Sequence, residues 1–153
     1  MKCSGSGDCG NANDDWRCYR GFMSGREFHD FTKSTAWQRA EALAVDIYFA
    51  TDSSRWRENP GLRGQLRDAS ASIAANIAEG AGSGSWPQFA RFLGIAIGSA
   101  SETQSRLSHA RRIALLEPAV YNVLAAETVE VCRMTIGLQR WARAQQARAG
   151  KRR

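Results

Sequence analysis

Glu79, Glu102, Glu127 and Glu130 are the carboxylates of this chain that stand on helical stretches where a carboxylate-bridged metal site would need them. Such a site also needs a Glu-x-x-His pair on each of two helices. The chain has only His29 and His109, and neither follows a glutamate at three residues. The metal reading fails on ligands, and no cofactor is expected. No Ser or Cys stands near a His and an acid in a helical spacing that would make a nucleophile, so the chain does not read as an enzyme. Residues 80–85, Gly-Ala-Gly-Ser-Gly-Ser, precede a helix and invite a phosphate-loop reading, since free N–H groups at a helix start bind anions. No Gly-Lys-Ser/Thr follows, no strand precedes, and the GxGxxG spacing is absent. A helix end and a flexible turn account for these glycines. Cys3, Cys9, Cys18 and Cys132 make no CxxC pair and read as reduced thiols.

The arginines are more informative. All 15 acidic residues lie at or before Glu130, and 15 of the 21 basic residues lie at or before Arg133. The net charge of +6 therefore belongs to Arg140, Arg143, Arg148, Lys151, Arg152 and Arg153. At 100° per residue Arg133, Arg140 and Arg148 turn away from the apolar face of their helix. They form a basic stripe leading into residues 151–153. A solvated helix end, with cations favoured by the C-terminal dipole, is one reading; a nucleic-acid contact through Arg133, Arg140, Arg143, Arg148, Lys151, Arg152 and Arg153 is the other.

The elements that carry these residues are helical. Apolar residues recur at steps of three and four from residue 35 onward and only three prolines occur, which predicts an all-α domain. The spacing predicts helices over about 35–52, 60–80, 86–116 and 118–147, packed as an up-down-up-down antiparallel four-helix bundle over residues 34–148. Thr35 and Gln38 form a capping-box pattern, and Trp37, Ala40, Ala44, Ile47, Tyr48 and Thr51 trace the first inner face. Asn59 and Pro60 start the second helix, whose Leu62, Leu66, Ala69, Ile73 and Ile77 line one side until Gly80. Gly94, Gly98, Ser99 and Ala100 narrow the third, so the second and third should approach closely and Gly98→Leu should disturb packing or assembly. Val120, Leu124, Val131, Met134, Leu138 and Trp141 face inward from the fourth. Trp56 is expected to fold back over the end of the core. Trp86, Phe89 and Trp141 exceed what one bundle needs and suggest an interface.

Residues 1–33 lack an apolar period and read as a disordered leader, with Met23 as an alternative start, and 149–153 as a basic tail. The absence of a run of roughly 18 apolar residues speaks against a membrane helix, and no secretory pattern opens the chain. A cytoplasmic location is the expectation.

Asn76-Ile77-Ala78-Glu79-Gly80, followed by Phe89, Arg91-Phe92-Leu93, Ile95-Ala96, Gly98-Ser99 and Glu102, resembles the signature of the 23S ribosomal RNA intervening-sequence proteins, a family of four-helix bundles. Trp37-Gln38-Arg39-Ala40, Leu62, Gln65-Leu66 and Ala69 are similar to its other common positions, and the likeness spans about residues 31–143. Ala100 departs from it, standing where a larger aliphatic residue is expected. The resemblance implies a homopentamer, an association with RNA, and a relation to the accessory proteins of diversity-generating retroelements, which bind nucleic acid and a reverse transcriptase. Two functions follow: a non-catalytic oligomer that binds RNA or DNA through the arginine-rich helix ends, or a protein-interaction scaffold, for example for a reverse transcriptase. In either, Asn76, Glu79, Gly80, Phe92, Gly98, Ser99 and Glu102 are structural, and the polar ones are expected to fix helix register or subunit packing.

Overall fold

The computed structural model describes residues 30–151; Cys3, Cys9, Cys18, His29, Arg152, Arg153 and the leader as far as residue 29 lie outside them. Five helices follow a short 3-10 turn at Phe31–Lys33: α1 Thr35–Ala50, α2 Ser54–Arg57, α3 Pro60–Gly82, α4 Trp86–Arg112 and α5 Pro118–Gly150. No strand occurs among the described residues. The four long helices form the expected all-α, up-down-up-down bundle, with α3 between α1 and α4, and α5 closing the ring between α4 and α1. Residues 31–33, assigned to the leader by sequence, are ordered against the bundle. Phe31 meets Trp37 edge-on, with ring centres 5.1 Å apart.

Each long helix begins with a recognisable signal. Ser34, and not Thr35, caps α1: its hydroxyl accepts from the Trp37 amide at 3.4 Å. Pro60, Pro87 and Pro118 occupy first-turn positions of α3, α4 and α5, where a missing N–H leaves no bond unmade. Asn59 precedes α3 without capping it and donates its side-chain amide to the Arg55 carbonyl instead.

The ends differ more from expectation. α3 passes Gly80 and runs to Gly82, and the left-handed residue of the following turn is Gly84, at φ 70°. α4 stops at Arg112 rather than 116, because Ala114 adopts φ 58° and the Leu115 and Leu116 amides fold back onto the Ala110 carbonyl. Leu116 still reaches the core, which is why it fell on the apolar stripe.

Leu43, Ile47, Leu66, Ile73, Ile77, Leu93, Leu107, Val131 and Leu138 make the interior. Trp56 on α2 is 1% exposed and closes one end, as its sequence position suggested. Burying such a side chain contributes about 2–3 kcal/mol. The inner face of α1 is Ala36, Ala40, Leu43 and Ile47, turned from the expected one, and leaves Tyr48 half exposed. Val120 likewise stays outside on α5. Thr103, Thr128 and Thr135 are buried, and each hydroxyl donates to the carbonyl four residues earlier in its own helix.

The close approach of α3 and α4 occurs at Gly80. A β-carbon there would lie 2.9 Å from Cδ2 of Phe89 and 2.9 Å from Cβ of Phe92. Gly98, by contrast, is exposed and a β-carbon on it would meet nothing. The expectation that Gly98 serves packing within the chain is corrected.

Candidate nucleic-acid interface

From Val131 to Gly150, α5 carries no acidic residue but four arginines. The helix has 33 residues, about 50 Å of rise. Its fit to α1 is fixed lower down, where Arg39 donates Nε to Glu127 Oε1 at 2.7 Å and approaches Glu130 at 3.6 Å. Arg39 lies near the start of α1, so the basic half of α5 runs on past that helix.

Arg133, at the start of the stripe, is paired with this bridge. Its Nη2 donates to Glu130 Oε1 at 2.7 Å and its Nε to Oε2 at 3.0 Å. The guanidinium holds the Glu130 carboxyl below its ordinary value, chiefly through these hydrogen bonds, against a smaller opposing effect of burial. The bridge joins α1 to α5, and sequence reading missed it because Arg39 and Glu127 are 88 positions apart.

Beyond it, Arg140, Arg143, Arg148 and Lys151 are all exposed, and none of them forms an ion pair among the described residues. Arg140 and Lys151 follow the outer line that Arg133 begins, with Arg148 beside it, while Arg143 turns toward α4. There it lines a groove of about 350 Å³ with Pro87, Ala90, Arg91, Gly94, Gln139 and Gln146. The Gln139 side-chain amide donates to the Ala90 carbonyl at 2.9 Å. Gly94 leaves room for it, since a β-carbon there would come within 3.0 Å of Gln139 Nε2. Arg91, exposed on the opposite wall, is a candidate that charge counting along α5 does not reveal. Its own signal was only its place between Phe89 and Phe92.

The polar residues of the signature act locally. Asn76 donates to the Ser72 carbonyl at 2.7 Å, Glu102 pairs with Arg106 at 3.2 Å, and Glu79 is exposed. None of these contacts crosses between helices; those that do include the Arg39 bridge, the Gln139 bond to the Ala90 carbonyl and the close approach at Gly80. The Ser99 carbonyl accepts from Thr103, and Phe92 is half buried against α3. Trp86 and Trp141, expected at an interface, meet each other edge-on at 5.2 Å and pack on the core, while Phe89 is buried. The large apolar residues left exposed include Val45, Tyr48, Phe49, Val123 and Val129.

Cys132 is free and half buried, and burial pushes its thiol up. Among the described residues no group of three or more His, Cys, Asp or Glu side chains is placed to hold a metal ion. No helix among them is long and apolar enough to cross a membrane.

Residues 32–137 match the family model described as 23S rRNA-intervening sequence protein. No curated protein matches the chain. The matched span includes the bundle helices as far as Gly137, and the cations from Arg140 onward follow it.

Proposed function

The chain belongs to the 23S rRNA-intervening sequence protein family, and from that premise we propose that it is a non-catalytic, homo-oligomeric cytoplasmic protein that binds RNA or other nucleic acid through the basic end of α5. One observation carries the proposal: the acid-free half of α5 displays Arg140, Arg143, Arg148 and Lys151 to solvent without ion pairs among the described residues. Exposed cations spaced along a rod suit the phosphate backbone, which is regular in charge whatever its base sequence. Repetition of the helix around an assembly, a pentamer by family likeness, multiplies the field.

The exposed Val45, Phe49 and Val123 support self-association, because apolar side chains of this size gain by leaving water. The same residues support the second reading, a scaffold for a protein such as a reverse transcriptase.

Mobility shift with structured RNA, single-stranded RNA and duplex DNA across a salt series tests the proposal. A shift that weakens with salt and is largely lost when Arg140, Arg143, Arg148 and Lys151 are all changed to Gln is the expected result. No shift at low salt would overturn it, and recovery of a stable protein partner after nuclease treatment would favour the scaffold.

A further inference from the structure

The groove between the first turns of α4 and the last turns of α5 differs in kind from the open face carrying Arg140 and Arg148. It is a shallow, open recess; two arginines line it, and no acidic residue does. Arg91 and Arg143 form no ion pair among the described residues. Like charges lining one concavity repel, and an anion between them relieves the repulsion. A guanidinium presents a planar fork of N–H donors that matches phosphate oxygens, so two of them bordering one recess suit a tetrahedral anion better than they suit water.

The floor is built to stay open. Gln139 is tied to the Ala90 carbonyl, which fixes its amide, and Gly94 contributes no side chain above it. A volume of about 350 Å³ is at the small end of ligand clefts, which run roughly 300–1,000 Å³. The polar groups facing it are side-chain amides and guanidiniums, with no aromatic ring on which a base would stack.

We propose that this groove seats one phosphodiester of a nucleic-acid backbone between Arg91 and Arg143, holding the strand irrespective of its bases. The inference rests on the nucleic-acid reading above and adds to it a specific seat, distinct from the diffuse attraction of Arg140, Arg148 and Lys151.

The test is fluorescence anisotropy of a labelled single-stranded RNA about 20 nucleotides long, titrated with the full chain over a salt series. Wild type is compared with Arg91→Gln/Arg143→Gln, with Arg140→Gln/Arg148→Gln, and with Gly94→Leu, which fills the groove and leaves every charge in place. The groove pair is expected to lose about tenfold or more in affinity and to lower the salt slope by about one. Gly94→Leu should lose affinity with the net charge unchanged, and a DNA strand of the same length should bind within about threefold of the RNA. Should Gly94→Leu fail to fold by circular dichroism, the two exposed arginines carry the test. Wild-type affinity and slope in the Arg91/Arg143 variant, with binding lost in the Arg140/Arg148 variant, would remove the seat and leave the nucleic-acid reading standing. Absence of binding by the wild type would overturn both.

Discussion

Gly80 of α3 lies against the ring of Phe89 on α4, with so little space between them that a single methyl group has nowhere to go. The ring could tilt, but the second obstacle is Cβ of Phe92, which moves only if the helix moves. Gly80→Ala is therefore expected to destabilise the protein by about 2–3 kcal/mol, although alanine is the better helix former. Urea unfolding checks this; a variant as stable as wild type would mean that α3 and α4 can separate without loss.

Ala114 is the reverse case. It is the one described non-glycine residue with positive φ, a conformation that costs an alanine roughly 1 kcal/mol. The position ends α4, where glycine is the common occupant. Ala114→Gly should gain about 1 kcal/mol, a rise in Tm of roughly 2–4 °C for a chain of this size. A fall in Tm would show that the turn is held by its contacts, such as the Arg55 bond to the Ala114 carbonyl at 2.6 Å, at no conformational cost.

Glu130 sets a pH dependence. Its carboxyl is held below the ordinary value by Arg133, so it loses its proton more readily in the fold than in the unfolded chain. The stabilisation is complete above the unfolded value of about 4.3 and fades as pH falls through the lower folded value. Glu130→Gln should lower Tm at neutral pH, and the difference should close in acid. A difference that stays constant from neutral to acid would contradict the linkage.

Phe49 is 71% exposed and Val123 is 68% exposed. If they serve self-association, Phe49→Asp and Val123→Asp should shift sedimentation toward smaller species while circular dichroism stays helical. An unchanged sedimentation profile would place the contact elsewhere, with the open surface at Gly98 the next to examine.

Neutralising Arg140 and Arg148 together is expected to weaken RNA binding several-fold at low salt and little at high salt, because exposed charges act through a screened field. Neutralising Arg133 should matter less, since its charge is matched by Glu130.

The helical architecture was legible because a 3.6-residue period writes itself into the order of Leu66, Ala69, Ile73 and Ile77. The same signal misled at Leu116, which is buried although the backbone has already left the helix: periodicity records which side chains go inside and is blind to φ. On α1 the bulk of Trp37 and Tyr48 drew the inner face toward them, whereas Ala36 and Leu43 occupy it. Gly80 was visible as a glycine, yet its reason lies in two phenylalanines on another helix. Of the candidate site, the charge imbalance could be counted along the chain. The groove could not, since Arg91 and Arg143 come to border one recess only through the pairing of α4 with α5.

Thr103, Thr128 and Thr135, buried in the bundle interior, bond only within their own helices. Valine in place of Thr103, Thr128 or Thr135 would keep nearly the same outline and break no hydroxyl bond between helices. At these three positions the helices therefore meet by shape, and the interior side chains there can change so long as volume is conserved. Core chemistry at these positions can thus change while the Arg39 bridge and the contact at Gly80 hold their helices together.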